Sequence, residues 1–201
     1  MKMTDQKDFT EAYRITTGSR RSKKDDERAL RIWQELAANG YVRSAFYLGV
    51  CYENGIGARK DYKKAFKSYM LAARNGHVQA QYNVYQMHLS GIGTKKNLRM
   101  ALQWLKKAAS HGDVDAIRDL GYHYHEGDGV KTNYRKATTL YSSAAKKGDI
   151  KAQWNLALCY LNGEGVPKSP ALSKRWLRKA ATSGHLGAQK LLAKQAKKKR
   201  S

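Results

Sequence analysis

The chain has 201 residues, 41% of them hydrophobic, enough for a buried core in one domain or at most two. Its 39 lysines and arginines outnumber 16 aspartates and glutamates, and the resulting charge of +23 implies an acidic partner: an acidic protein, nucleic acid or an anionic membrane. Two cysteines exclude a disulfide scaffold, no stretch nears the roughly 18 apolar residues of a membrane span, and Met1–Asp26 holds no apolar signal core, so a cytoplasmic location is expected.

Residues 5–17, with Phe9, Ala12 and Tyr13, are expected to form a degenerate capping helix, and 18–24 a basic linker. From Asp25 the chain repeats every 36 residues. Gly40, Gly76, Gly112, Gly148 and Gly184 share that step. So do the pairs Gly55/Gly57, Gly91/Gly93, Gly127/Gly129 and Gly163/Gly165, and the set Asp25, Asp61, Asn97, Asn133 and Ser169. The last set holds only side chains that cap a helix start. Pro170 behind Ser169 suits a first helical position. The single glycines suit left-handed helix ends. Helices called B are therefore predicted at 26–39, 62–75, 98–111, 134–147 and 170–183.

Between each single glycine and the next Gly-x-Gly lies a predicted A helix, at about 42–53, 78–89, 114–125 and 150–161, with a last one near 186–196. Its inward slots recur at i, i+4 and i+8, as in Ala152/Leu156/Tyr160. One A–B unit cannot bury its own apolar face, so stacking must bury it, which gives an all-α solenoid. The expected organisation is an N-terminal segment 1–24 and a repeat array 25–196. Full units fall at 41–76, 77–112, 113–148 and 149–184, and a basic tail follows at 197–201.

One unit reads Ala116-Ile-Arg-Asp-Leu120-Gly121-Tyr-His-Tyr124-His-Glu-Gly127-Asp-Gly129-Val130, then Lys136-Ala137, Ala144-Ala145 and Gly148. This pattern resembles the Sel1-like repeat, a 36-residue relative of the tetratricopeptide repeat. The resemblance covers about residues 25–196. It implies a right-handed solenoid of stacked helix-turn-helix units with the A helices on the concave face, and a role as an adaptor holding other proteins; a non-enzymatic monomer of bacterial type is the expectation. Departures are His88 in a tyrosine slot, Tyr85 where the family has glycine, and Ser44 for alanine. The cysteine pair that some members carry in every repeat is missing.

By analogy with tetratricopeptide geometry, the groove-facing positions are Arg43, Phe46, Tyr47 and Val50; Gln79, Tyr82, Asn83 and Gln86; Asp115, Arg118, Asp119 and Tyr122; and Lys151, Trp154, Asn155 and Leu158. Aromatic rings offer apolar anchoring, and amides can bond a peptide backbone. Asn83 and Asn155 share one register, and related repeats use an asparagine there against an extended peptide. Each aromatic has an alternative role as packing between adjacent A helices.

Charge divides by segment. The four A segments hold three basic and six acidic residues, whereas the loop-plus-B segments hold 21 basic residues and one acid, Asp61. Register-matched positions are Arg59, Lys95 and Lys131; Lys63, Arg99 and Arg135; Lys106 and Arg178; Lys107 and Lys179. Helices stacked about 8–10 Å apart would turn these into ladders able to follow phosphates. Plain solvation of exposed helix faces is the alternative.

No catalytic, metal or cofactor motif stands out. His123 and His125 point to nearly opposite sides of a helix and cannot chelate together. All six histidines read as structural. Cys51 and Cys159 read as buried small hydrophobes, three units apart and far beyond the reach of a disulfide. The expected function is therefore an adaptor holding a peptide or protein in the A-helix groove, with the basic face for an acidic second partner. A nucleic-acid or ribosome role for the B face is the alternative, and attachment to an anionic membrane stands third.

Overall fold

The computed structural model describes residues 3–19 and 21–197, and among them every regular element is an α-helix. In chain order these are α1 (Met3–Thr17), α2 (Lys23–Ala38), α3 (Val42–Asn54), α4 (Tyr62–Arg74), α5 (Val78–Ser90), α6 (Leu98–Ser110), α7 (Val114–Glu126), α8 (Tyr134–Lys146), α9 (Ile150–Asn162), α10 (Pro170–Thr182) and α11 (Leu186–Lys197). The fold class is thus all-α and of the repeat-solenoid type. Helices α3 to α10 start and stop within one residue of the periodicity's forecast. The expected basic tail lies outside the described residues except for Lys197, which ends α11.

Local chemistry explains each boundary. Asp61, Asn133 and Ser169 cap α4, α8 and α10 by accepting from the N–H three residues on. Each cap's own N–H donates back to the preceding A helix: Asp61 to the Tyr52 carbonyl at 2.9 Å and Ser169 to that of Tyr160 at 2.8 Å. Gly-x-Gly makes this closure possible. Its first glycine ends the A helix at positive φ. A Cβ on the second, Gly57, Gly93 or Gly165, would strike the backbone of Asp26, Tyr62 or Tyr134 at the start of the preceding B helix. The turn is therefore also an inter-repeat contact that only glycine permits.

The chain forms two compact units, Met1–Lys107 and Ala108–Ser201. In the first, Trp33, Tyr69, Val84, Leu105 and Cys51 are the large or inert fully buried side chains. In the second, Ala152, Leu156 and Cys159 of α9 pack with Ala137, Tyr141 and Ala144 of α8, while Ala157 packs with Leu177 and Ala180 of α10 and Ala188 of α11.

Two corrections concern the N-terminal end. Helix α2 begins at Lys23, capped by Ser22 rather than Asp25, so the expected linker is shorter than 18–24. Asp25 instead sits at N3 of a capping box: Ser22 Oγ accepts from Asp25 N–H, and the Asp25 carboxylate accepts from Ser22 N–H. The other concerns the register of α1, the expected degenerate capping helix. The Trp33 indole donates to Thr16 Oγ1 at 2.8 Å, as the Tyr69 hydroxyl donates to Glu53 at 2.6 Å. Ala12 and Ile15 are buried, as are Gly49 and Tyr52. Helix α1 is an A helix whose register is offset by one residue from the 36-residue step.

Candidate functional site

In the first unit the A-helix face is a cluster of rings. Tyr47 stacks on Trp33 at 4.9 Å and meets Phe9 and Tyr13 of α1 edge-on. Exposed Arg43 holds its guanidinium 4.9 Å above Phe9. Val50, Tyr82 and Asn83 are half-buried, while Gln79 and Gln86 are exposed. Gln86 donates to the Tyr82 hydroxyl at 2.8 Å.

In the second unit Tyr122 is 52% exposed, Lys151 is exposed, and Trp154, Asn155 and Leu158 are half-buried. Arg118 is not a free cation. It is 11% exposed and bonds Asp119 at 2.7 Å, Asp149 at 3.0 Å and Asp115. Burial works against its charge, but Asp119, Asp115 and Asp149 together hold its pKa above the ordinary value.

Three of the expected groove residues join neighbouring repeats. Phe46 stacks on His77 at 4.4 Å, and Trp154 stacks on His185 at 4.8 Å. Arg118 reaches Asp149 at the same separation of 31 residues. Ring pairs with ring, and cation with acid. The second member also caps its helix: His77 Nδ1 accepts from Ala80 N–H and His185 Nδ1 from Ala188 N–H, both at 3.2 Å. These pairs were missed in the sequence, although the matched 31-residue spacing would have shown them.

The basic positions Arg59, Lys63, Lys95, Arg99, Lys106 and Lys107 of the first unit are all exposed, as are Lys131, Arg135, Arg178 and Lys179 of the second. Lys107 lies 4.5 Å over Trp104, and Lys179 lies 4.7 Å over Trp176. These lysines are therefore held against rings rather than waving in solvent. Among the described residues no helix is long and apolar enough to cross a membrane.

The remaining histidines have distinct settings. His88 is buried edge-on to Phe66, and burial lowers its pKa. His123 is buried at the carbonyl and carboxylate of Asp128. His125 is clamped between Glu126 and Glu164. Both cysteines are free thiols buried in the repeat core.

The Sel1 repeat family matches residues 12–41, 42–77, 78–113, 114–149 and 150–185. The first of these takes in the second half of α1. Among solved structures, a Sel1 repeat protein from Oxalobacter formigenes is 34% identical over 94% of this chain and 74% of its own, with a TM-score of 0.81. A protective antigen of uropathogenic Escherichia coli with an SLR fold is also 34% identical, with a TM-score of 0.86 over 92% of this chain. This chain spans 39% of that protein's length. An immunity protein of Pseudomonas aeruginosa, 20% identical over 94% of this chain and 68% of its own with a TM-score of 0.55, shares the fold alone. Among curated proteins there is no match. Five phased repeats and these relatives place the chain in the Sel1 repeat family, whose members generally act as protein–protein interaction scaffolds.

Proposed function

We propose that this protein is a non-enzymatic adaptor whose A-helix faces hold an extended segment of a partner protein, and whose basic B faces engage a second, acidic partner. The observation that carries the reading is the chemistry of the A faces. They present part-exposed rings and amides, with Tyr122 at 52%, on segments poor in basic residues. Such a surface supplies apolar anchors and backbone-matching hydrogen bonds at low charge. Tyr122, Asn155 and Leu158 of the second unit, and Gln79, Asn83 and Gln86 of the first, are the contact residues. Phe46, Arg118 and Trp154 shape the faces through their joint pairs.

The test is capture of partners from lysate with nuclease at physiological and at high salt, using wild type, Tyr122→Ala/Asn155→Ala, and a charge reversal of Lys106, Lys107, Arg178 and Lys179 to glutamate. The adaptor reading expects a discrete protein that survives salt and nuclease and is lost in the first variant. A second reading is favoured by the 21-to-one charge count of the loop-plus-B segments. On that reading only nucleic acid or ribosomal material is recovered, it falls away at high salt, and only the charge reversal abolishes it.

A further inference from the structure

The repeat supplies its own control for which polar clusters the fold requires. Where α7 meets the end of α9, one ring nitrogen of His125, the Cys159 sulfur and a Glu164 carboxylate oxygen lie within 4.8 Å of one another. One repeat earlier the same three positions are Leu89, His123 and Asp128; before that they are Glu53, Met87 and Ile92, and first, with the one-residue offset of α1, Thr16, Cys51 and Ile56. None of those sets offers three ligands of this kind. The fold therefore does not need the trio.

The cluster is also built. His125 Nδ1 is at Glu126 Oε1, 2.7 Å away, so Nε2 is the nitrogen turned toward Glu164 Oε2 at 2.9 Å. Glu164 is fixed at three points. Its N–H donates to the Cys159 carbonyl at 3.0 Å, its carbonyl accepts from Thr138 Oγ1 at 2.8 Å, and its Oε1 accepts from Asn162 Nδ2 at 3.2 Å. Cys159 is 1% exposed beneath the pair. A nitrogen, a sulfur and an oxygen ligand, with a carboxylate on the far side of the imidazole, form the ligand set and orienting partner of a zinc-class site.

We propose that His125, Cys159 and Glu164 bind one divalent zinc-class ion, with Glu126 as the residue that positions the imidazole. Binding releases the thiol proton of Cys159 and the Nε2 proton of His125 to water. It forms metal–sulfur, metal–nitrogen and metal–oxygen bonds and leaves a fourth position to solvent. Tetrahedral zinc sets its donors about 3.3–3.8 Å apart, so the His125–Glu164 pair, at 2.9 Å, opens slightly while the Cys159 sulfur draws in by up to on the order of an ångström. The ion replaces the proton that joins His125 to Glu164, and offsets the cost of a thiolate in a buried place.

The probe is Co²⁺ titrated into tag-free, chelator-treated full-length protein and followed by absorption. The expected result is one equivalent per chain with a thiolate-to-cobalt charge-transfer band, displaced by Zn²⁺. Cys159→Ser abolishes the band, whereas Cys51→Ser keeps it. Glu164→Gln, at a half-buried site that leaves folding intact, loses the Zn²⁺-dependent rise in Tm that wild type shows. Glu126→Gln weakens binding about 10–100-fold. The proposal is overturned if the folded protein gives no band, if the band follows Cys51 rather than Cys159, or if Glu164→Gln binds as wild type does. Should Cys159→Ser fail to fold, Glu164→Gln and Cys51→Ser still decide.

Discussion

Gly49 faces the ring of Tyr69, and the size match between these positions is a sharp test of how the repeats pack. A Cβ at residue 49 would stand 2.5 Å from Tyr69 Cδ1 and 2.6 Å from Cε1. The ring cannot step aside, because it is fully buried and its hydroxyl is held by Glu53 at 2.6 Å. Alanine in mid-helix gains about 1 kcal/mol of helix propensity over glycine. Overpacking a well-filled core costs about 1–3 kcal/mol, and an overlap near an ångström belongs at the upper end. Gly49→Ala should therefore destabilise by about 1–2 kcal/mol. The same register holds Tyr85 with Leu105, Gly121 with Tyr141 and Ala157 with Leu177. Large residues on A thus meet smaller ones on B, and the reverse. Gly49→Ala combined with Tyr69→Leu imports the Ala157/Leu177 solution. Urea unfolding of the four-member cycle should give a coupling of at least about 1 kcal/mol in favour of the double variant. A Gly49→Ala protein more stable than wild type, or strictly additive effects, would refute the reasoning.

Other outcomes follow from the same geometry. His88 is buried, which holds its pKa below the ordinary 6.5 while the Lys95 backbone pulls weakly the other way. The unfolded chain thus binds more protons between the folded pKa and 6.5, so this group's contribution to stability falls as pH drops through that window. His88→Tyr, the residue found at 52, 124 and 160, should flatten the pH dependence of the urea midpoint there. Arg118→Met leaves Asp149 largely buried without its cation and should cost about 2–3 kcal/mol near neutral pH, less in acid. Arg118→Trp with Asp149→His copies the Trp154/His185 joint, and should recover part of that loss in Tm. Ser22→Ala should lower stability by about 1 kcal/mol in thermal melts, and Asp25→Ala should lower it as well, since both halves of the capping box are made. An Asp25-only effect would restore the cap to residue 25.

Most of the fold was legible because its determinants are local and repeated. Caps, left-handed glycines and small-residue pairs each act within a few residues, and five copies in phase remove chance. The misreadings have one cause. Periodicity assumes a constant step, but the loop after α1 is short and α2 starts a turn early, so the 36-residue ruler slid off α1 by one residue. Ala12, Ile15 and Phe9 match Gly49, Tyr52 and Phe46 once that offset is applied. The candidate site was less legible. That Phe46, Arg118 and Trp154 bind their neighbours depends on side-chain partners 31 residues away, a relation between repeats that a reading within one repeat does not display.

That distinction bears on where specificity resides. Positions fixed in all four full repeats, such as the Gly-x-Gly turns, are fixed by backbone contacts and identify only the fold. Positions that change together across a joint, ring for ring or cation for acid, preserve stacking while altering the surface. A position that changes alone, with no compensating change opposite, is released from packing and is open to selection for a partner. Tyr122 is such a position: its register mates are Gln86, Val50 and Leu158, it is half exposed, and its neighbouring ring is His123, the next residue on its own helix. Removing its side chain should therefore leave Tm within about 0.5 kcal/mol equivalent of wild type, as surface changes do. A large loss of stability would reassign Tyr122 to packing and withdraw it from the proposed contact face.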